Sequence, residues 1–397
     1  MSKRPTVLRC GVVHDSLGGA PLHNVNITIE DGRIAEIGPG GHAHADIIEA
    51  PCVVPGLINA HVHLEASGEA QTTVVILTTT PGERTIAAVA NARKSLHAGV
   101  TTVRDLGSTG NVSIDVRDAV NRGDIPGPTI LAAGNAICMT GGHGWFIGRE
   151  TDGPWDARKA VREQLRRGAD CIKLIATGGV LTKGAVPGIA QLTEEEMTAA
   201  IVEARNHGLR VAAHAIGLDG IKNALRAGVS SIEHGYKLDD EVLDLFKQQG
   251  AYLVPTLCAV TRIVEAGTER GMPEFVLRKA NELYEDLATN IGRAYRAGIT
   301  IAGGSDAGTP FNYHEDYPHE VSLMHRLLGM SQTQALRAAT ATSADLLGLA
   351  DRGTLAVGKR ADVLVLRSDV AADITALREP LVVIQAGKVA IDRRHAS

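Results

Sequence analysis

The sequence has few aromatic residues and no excess of positive charge. Its 397 residues include only four Phe, two Trp and six Tyr. Lys and Arg number 40 against 45 Asp and Glu, so the formal net charge is −5. Because proteins hold a phosphate backbone with clustered Lys and Arg, this balance argues against a nucleic-acid partner. With so few aromatic residues, Val, Ile, Leu and Ala must form the core, a composition typical of buried parallel strands.

Long apolar runs and closely spaced cysteines are also absent. No run approaches the roughly 20 apolar residues that cross a bilayer, so we expect no membrane segment. The first residues pass into polar and apolar alternation without the apolar stretch of a secretory signal, which predicts a cytoplasmic protein. The five cysteines include no CxxC pair, and we expect buried free thiols.

A repeated pattern of strand and helix signals runs from residue 57 to about residue 350. The predicted strands are residues 57–63, 100–105, 129–137, 171–176, 210–215, 230–234, 251–257 and 300–306. Capping boxes at Thr193 with Glu196 and at Ser331 with Gln334 mark the starts of two helices. Eight such units predict an α/β protein with a (β/α)8 TIM barrel. A doubly wound open sheet fits less well, because no Gly-rich dinucleotide fingerprint follows the first strand.

Short alternating strands precede and follow the barrel. They are predicted at residues 7–13, 25–30, 33–37 and 47–50, and again at 362–367, 381–385 and 388–391. Neither set is long enough to bury a good core alone. We therefore predict that residues 1–56 and 354–397 combine into one small flanking β-sandwich domain, and that residues 57–353 form the barrel.

Histidine and aspartate residues stand at the C-terminal ends of the predicted barrel strands, where TIM barrels place their functional groups. His61 and His63 end the first strand, and their spacing of two residues points both side chains to one side. His214, His234 and Asp306 end the fifth, sixth and eighth strands. Imidazoles with a carboxylate are ligands for Zn, Mn, Fe or Co, so this set predicts a catalytic metal site.

Three further residues are candidates for catalysis or metal binding. Lys173 lies in a buried apolar strand, where an unpaired ammonium is costly. It either pairs with an acid or a substrate, or it has reacted with CO2 to give a carbamate that can bridge two metals. His143 stands in a Gly-rich loop and can donate to a developing oxyanion, or it can cap backbone carbonyls. Tyr236 can reach the substrate from its place after His234, or it is an ordinary half-buried tyrosine.

Together these residues resemble the motif set of the amidohydrolase superfamily over nearly the whole chain. The resemblance rests on residues 55–63 (PGLINAHVH), Lys173, His214, His234, residues 303–306 (GGSD) and the closing stretch 353–365 (GTLAVGKRADVLV). Residues 139–144 (MTGGHG) and 233–236 (EHGY) resemble the branch of prolidase-like dipeptidases and N-acyl amino acid hydrolases. The loop at 181–187 is more basic than that branch pattern, so the resemblance leaves substrate preference open.

The resemblance implies a binuclear metal site. Two divalent metal ions, expected to be zinc, would be bridged by carboxylated Lys173. The implied ligands are His61, His63 and Asp306 for the first metal, and His214 and His234 for the second.

The resemblance also implies a metal-dependent hydrolase of carbon–nitrogen bonds. Two metals that share a water can supply a bridging hydroxide near neutral pH. Asp306 would move a proton from that hydroxide to the leaving nitrogen, with His143 and Tyr236 as the other catalytic residues. A non-catalytic barrel fits less well because every ligand is present, and a deaminase or isomerase has no need of a bridging lysine.

The partner expected for this site is a small molecule with an amide bond. A dipeptide or an N-acyl amino acid is the first expectation. The alternative is the same chemistry on a bulky aryl amide, a carbamate or a cyclic amide of the xenobiotic or mycotoxin type. The family resemblance also suggests a homo-oligomer.

Overall fold

The computed structural model describes residues 4–40 and 44–394. Its strands are β1 (Thr6–Val13), β2 (Leu22–Glu30), β3 (Arg33–Gly38), β4 (Asp46–Pro55), β5 (Leu57–Val62), β6 (Val100–Asp105), β7 (Thr129–Ala132), β8 (Ala136–Met139), β9 (Gly148–Thr151), β10 (Cys171–Ile175), β11 (Arg210–Ala215), β12 (Ser231–His234), β13 (Tyr252–Val254), β14 (Val363–Leu366), β15 (Val382–Gln385) and β16 (Lys388–Asp392).

The α-helices follow the strands in the alternation that the sequence predicts. They are α1 (Thr72–Thr78), α2 (Pro81–His97), α3 (Val112–Arg122), α4 (Pro154–Arg167), α5 (Glu194–Asn206), α6 (Leu218–Ala227), α7 (Asp240–Gln249), α8 (Leu257–Ala266), α9 (Glu274–Arg296), α10 (Tyr317–Leu328), α11 (Gln332–Arg337) and α12 (Ser343–Leu347). Short 3₁₀ helices lie at Trp145–Ile147, Thr268–Arg270, His314–Asp316 and Ile374–Arg378, and a π-helical turn lies at Ala338–Thr342.

Parallel strands form the (β/α)8 barrel that the sequence predicts. One sheet has the order β5, β6, β7, and another has the order β13, β12, β11, β10, β8, β9. Residues 300–307 lie between these sheets: Leu253 N donates to Thr300 O at 3.0 Å, and Ala60 N donates to Gly303 O at 2.9 Å. The C-terminal ends of the barrel strands therefore face one common pocket.

Three predicted barrel strands differ from the structure. The strand expected at 129–137 divides into β7 and β8, where Gly134 has a φ of +69°. Residues 300–306 make one isolated bridge, between Ile301 and Leu253, instead of a regular strand. The strand expected at 251–257 stops at Val254, and Leu257 begins α8 because the Glu320 carboxylate accepts from its backbone N–H at 2.8 Å.

The flanking sheet has seven strands in the order β16, β15, β14, β4, β1, β2, β3. Antiparallel pairing of β14 with β4 joins the two sets of predicted strands at the middle of the sheet. Ile34 in β3 and Ile384 in β15 belong to one buried apolar cluster with Leu8. The sheet thus folds around its own core as the predicted β-sandwich.

The flanking sheet continues directly into the barrel. β4 passes through Gly56 into β5, which carries His61. A Cβ atom at Gly56 would lie 2.2 Å from Thr101 Oγ1, so only glycine fits this passage. The barrel and the sandwich are therefore joined at the first barrel strand by a single residue.

Several local predictions are confirmed. Both capping boxes are present, with Thr193 accepting from Glu196 N and Ser331 accepting from Gln334 N. All five cysteines are buried and free. Within residues 4–40 and 44–394, no helix has the length and apolar character needed to cross a membrane.

Candidate metal centre

The structure brings every predicted site residue to one pocket at the C-terminal ends of the barrel strands. The pocket is lined by His61, His63, His143, Lys173, His214, His234, Tyr236 and Asp306. These residues come from different strands and loops, so the barrel topology is what places them together. Their separation along the chain exceeds 240 residues between His61 and Asp306.

Asp306 lies at the middle of the histidine group. Its Oδ1 is 3.2 Å from His61 Nε2 and 3.2 Å from His63 Nε2. Candidate ligand atoms of His61, His234 and Asp306 all lie within 4.8 Å of one another. The ring of His214 lies next to that of His234, with 4.5 Å between centroids.

Three of the histidines are held by a hydrogen bond at Nδ1. The partners are Glu233 Oε2 for His61 at 2.9 Å, Gly107 O for His63 at 2.8 Å and Thr256 Oγ1 for His234 at 2.7 Å. Such contacts fix the ring orientation of metal-binding histidines. Each leaves Nε2 available as a ligand atom.

Glu233 links the histidine group to a buried arginine. Arg104 Nη2 donates to Glu233 Oε1 at 2.9 Å, and Ser231 donates to the same oxygen at 2.5 Å. Arg104 and Glu233 are both fully buried. Glu233 is not among the site residues predicted from the sequence, although an acidic residue in a buried apolar strand is itself a signal of a paired or ligand-holding group.

Burial sets the charge of most of these groups. It lowers the pKa of His61, His214 and His234 well below the usual value, so the three rings are neutral near pH 7. Burial also lowers the pKa of Lys173 to about 8, which leaves part of the amine unprotonated. The Lys173 Nζ lies 3.5 Å from His61 Nε2.

Asp306 and His63 shift each other's pKa. Burial alone would raise the pKa of Asp306, but the facing His61 and His63 lower it below the usual value. Burial alone would lower the pKa of His63, but its hydrogen bond to Asp306 raises it. Asp306 is therefore a carboxylate near neutral pH. Neutral imidazoles with anchored rings and one carboxylate form a donor set that fits divalent transition metals.

His143 is oriented by a threonine of the 181–187 loop. Its Nδ1 lies 2.8 Å from Thr182 Oγ1, and Gly144 N donates to the same hydroxyl oxygen at 3.3 Å. The Thr182 hydroxyl can donate its hydrogen to Nδ1, and in that arrangement the proton of the neutral ring is on Nε2. Burial lowers the pKa of His143 to about 3, so the ring stays neutral over the physiological range.

Two further residues support His143. Lys279 Nζ donates to Thr182 O at 2.8 Å and so holds the loop. A Cβ atom at Gly179 would lie 2.3 Å from His143 Nε2, so a side chain there would displace the ring. Neither Thr182 nor Lys279 is predicted from the sequence, because their roles depend on contacts across the fold.

Tyr236 holds another site residue in place. It is buried, and its hydroxyl donates to Thr256 O at 3.0 Å. Burial raises the pKa of the phenol well above its usual value. The expectation that the phenol donates to a substrate is not what this geometry favours, because the hydroxyl hydrogen is already engaged by Thr256, which in turn contacts His234.

Three residues at the site have a strained backbone. His234, Thr256 and Asp306 have φ values of 75°, 46° and 59°. Each such conformation costs about 1–3 kcal/mol in a residue with a side chain, and strained residues cluster at functional sites. The strain re-aims side chains at the ends of strands toward the pocket.

The outer part of the pocket is apolar. Its apolar lining includes Ile76, Phe146, Ile147, Val180, Leu181, Ile216, Val260 and Ile263. Among the lining residues in the described part of the chain there is no arginine, and Lys173 is the single lysine. This lining suits a small molecule with an apolar group.

The Amidohydrolase family model matches residues 52–390 of the chain. Ochratoxinase from Aspergillus niger is 30% identical over 411 residues, and the match covers 93% of this chain and 83% of that protein.

Two solved structures are similar to the whole fold. A crystal structure of an Xaa-Pro dipeptidase with bound methionine in its active site has a TM-score of 0.91 and 33% identity, covering 97% of this chain and 99% of that one. The crystal structure of A. niger ochratoxinase has a TM-score of 0.89 and 27% identity, covering 99% of this chain and 97% of that one. The similarity therefore extends over the barrel and the flanking sandwich together.

Proposed function

Because the chain belongs to the amidohydrolase family, whose members include hydrolases of carbon–nitrogen bonds, we propose that it hydrolyses the amide bond of dipeptides or N-acyl amino acids. The observation that carries this proposal is the contact of Asp306 with both His61 and His63 at 3.2 Å in a buried pocket. Similarity to an Xaa-Pro dipeptidase that holds methionine in its active site supports an amino-acid substrate.

Two divalent metal ions complete the proposed site, and we propose zinc. His61, His63 and Asp306 would hold one ion, His214 and His234 the other, with carboxylated Lys173 between them. When bound, such ions lower the pKa of a shared water and polarise a carbonyl oxygen. The neutral histidines and the partly unprotonated Lys173 amine suit these roles.

Asp306 and His143 would carry the proton and oxyanion chemistry. The Asp306 carboxylate accepts the proton of the attacking water and passes it to the leaving nitrogen. His143 donates from Nε2 to the carbonyl oxygen as negative charge develops there. Tyr236 acts as a positioning residue through Thr256, which holds His234.

A second candidate function has an observation in its favour. The outer pocket is apolar, and no arginine among its described lining residues is available to bind a free carboxylate. A bulky aryl amide, a carbamate or a cyclic amide would use the same chemistry and fit this lining. Similarity to ochratoxinase supports this alternative.

The test is amine release from a panel of dipeptides, N-acyl amino acids and aryl amides by the zinc-loaded protein. We expect Asp306→Asn to lower kcat by about 10²–10⁴, the usual contribution of a general acid–base residue. Asp240→Asn, at an exposed position, serves as the matched control. Cleavage of aryl amides alone would favour the second candidate, and a folded, metal-loaded protein that cleaves nothing in the panel would overturn both.

Lys173 allows a separate test of the metal bridge. We expect Lys173→Ala to bind fewer than two metal ions per chain, and acetate to restore part of the activity by replacing the bridging carboxylate. Lys222→Ala, which removes a surface partner of Glu241, is the control. Metal content measured by atomic emission decides the point. Two ions per chain in Lys173→Ala would show that the bridge is another group.

The assembly and location of the protein are part of the proposal. The family resemblance leads us to propose a homo-oligomer, and we also propose a cytoplasmic location. Light scattering coupled to size exclusion measures the first, and a monomer at micromolar concentration would contradict it.

A further inference from the structure

A second group of candidate metal-ligand side chains lies outside the pocket, in the flanking sandwich. His14 follows β1, Cys52 lies in β4, and Asp369 lies beyond β14. Candidate ligand atoms of the three residues all lie within 4.8 Å of one another. His14 Nε2 is 2.7 Å from Asp369 Oδ1. The group thus combines a thiol, an imidazole and a carboxylate, drawn from three separate segments.

The group is buried on one side and open on the other. Cys52 is fully buried, the His14 side chain is 7% exposed and the Asp369 side chain is 42% exposed. Cys52 packs with the apolar cluster of the barrel core, so an ion held here would contact the thiol on the barrel side of the sheet and would face solvent beside Asp369. A water molecule can therefore complete a fourth position.

The backbone holds these residues in place. His14 N donates to Val53 O at 3.0 Å, which continues the pairing of β1 with β4. Ala371 N donates to Asp369 Oδ1 at 2.9 Å. Burial raises the pKa of the Cys52 thiol to about 11, whereas the backbone N–H of Val370, which is directed at the sulfur, acts in the opposite direction and would favour a metal-bound thiolate.

We propose that His14, Cys52 and Asp369 bind a zinc ion in a site separate from the candidate metal centre. Ligand atoms of a tetrahedral zinc lie roughly 3.3–3.8 Å apart, given metal–ligand distances of about 2.0–2.3 Å. A thiolate ligand selects zinc and similar ions and disfavours Mg²⁺ and Ca²⁺.

The proposed ion would join distant parts of the chain. His14 and Cys52 belong to the strands before the barrel, whereas Asp369 belongs to the segment after it. Binding to the folded state alone raises its stability by mass action. The ion would therefore stabilise the sandwich and would not take part in catalysis.

Cobalt substitution tests the proposal, because a thiolate bound to Co²⁺ gives sulfur-to-metal charge-transfer absorption in the near ultraviolet. The predicted ligands of the barrel site include no cysteine, so Co²⁺ bound there gives no absorption of this kind. We expect the metal-free protein to develop the band on titration with Co²⁺, and Cys52→Ser to lose it. Cys10→Ser is the matched control, since Cys10 is another buried cysteine of the same sheet, and it should keep the band.

A second variant covers the case in which Cys52→Ser fails to fold. Asp369→Asn changes a side chain that is 42% exposed, and we expect the band to need a higher Co²⁺ concentration. Zinc should also raise the Tm of the native protein more than that of Asp369→Asn. Absence of the band in the native protein, or its persistence in Cys52→Ser, would overturn the proposal and leave an ordinary His14–Asp369 ion pair beside a buried thiol. These readouts do not depend on hydrolytic activity.

Discussion

A buried carboxylate stands behind the first histidine of the candidate centre. Glu233 accepts from Arg104 and Ser231 and contacts His61 Nδ1 at 2.9 Å. A carboxylate at this position fixes the tautomer of the ring and raises the basicity of Nε2. Arg104 places a positive charge beside Glu233 away from solvent, so Arg104, Glu233 and His61 act as one unit.

We expect Glu233→Gln to weaken zinc binding by roughly 10–100-fold, because the amide holds the His61 ring less firmly and supplies no charge. The variant also leaves Arg104 without its buried partner, which can lower the free energy of unfolding by several kcal/mol. Binding must therefore be measured under conditions where the protein stays folded. Competition with a chelator gives the Kd. Glu241→Gln, in a surface ion pair, is the control. An unchanged Kd in Glu233→Gln would show that the contact is structural only.

The site residues that could be predicted are those whose side-chain type and place at a strand end are visible in the sequence. His61, His63, His214, His234 and Asp306 end apolar strands, and the barrel brings strand ends together. Thr182 and Thr256 could not be predicted in the same way. A threonine hydroxyl is common on any surface, and its role arises only when the fold places it beside an imidazole.

At the scale of elements, helix α8 connects the pocket to the eighth barrel unit. Glu320 in α10 accepts from the backbone N–H groups of Leu257 and Cys258 at 2.8 and 2.7 Å. These are two of the backbone N–H groups at the start of α8 that have no partner within the helix. The helix then presents Val260 and Ile263 to the pocket. Glu320 therefore positions part of the apolar wall.

The pKa of Glu320 predicts a pH-dependent stability. Burial raises it from 4.5 to about 7, so between these values the unfolded chain releases a proton that the folded chain retains. The Glu320 contribution to the free energy of unfolding is thus full below about pH 4.5 and falls as pH rises to about 7, by about 1.4 kcal/mol per pH unit within that window. Glu320→Gln cannot ionise and should lack this slope. Urea unfolding of both proteins across the window measures the difference, and parallel slopes would contradict the assignment.

Element boundaries were less predictable than element types. β6 and β11 match their predicted limits, because apolar runs and flanking turns define both ends. The run at 251–257 is equally apolar, yet β13 stops at Val254 and Leu257 enters a helix. The carboxylate of Glu320 decides this, and it lies more than 60 residues away in sequence.

At the scale of the whole molecule, we propose that residues 1–56 and 354–397 form one domain and residues 57–353 the barrel. All four residues of β14 are buried, and β14 pairs with the middle strand β4. β14 is therefore internal to the sandwich, whereas β16 lies at the edge of its sheet. Neither set of strands can bury the shared apolar cluster alone.

A truncation tests this domain assignment. A chain that ends at Arg360 lacks β14, β15 and β16 and exposes one edge of β4, which favours aggregation. We expect little soluble protein and no cooperative thermal transition. A chain that ends at Arg394 retains all three strands and should melt like the full chain. A soluble, cooperatively melting chain ending at Arg360 would show that the barrel and the first four strands suffice.

The passage of β4 through Gly56 into β5 has a consequence for building chimeras between related enzymes. The sandwich and the strand that carries His61 are one continuous stretch of backbone, and the glycine between them has no room for a side chain. If the sandwich of one enzyme were joined to the barrel of another at Gly56, the orientation of His61 and His63 would change. A chimera should therefore take all of residues 46–63 from the same enzyme.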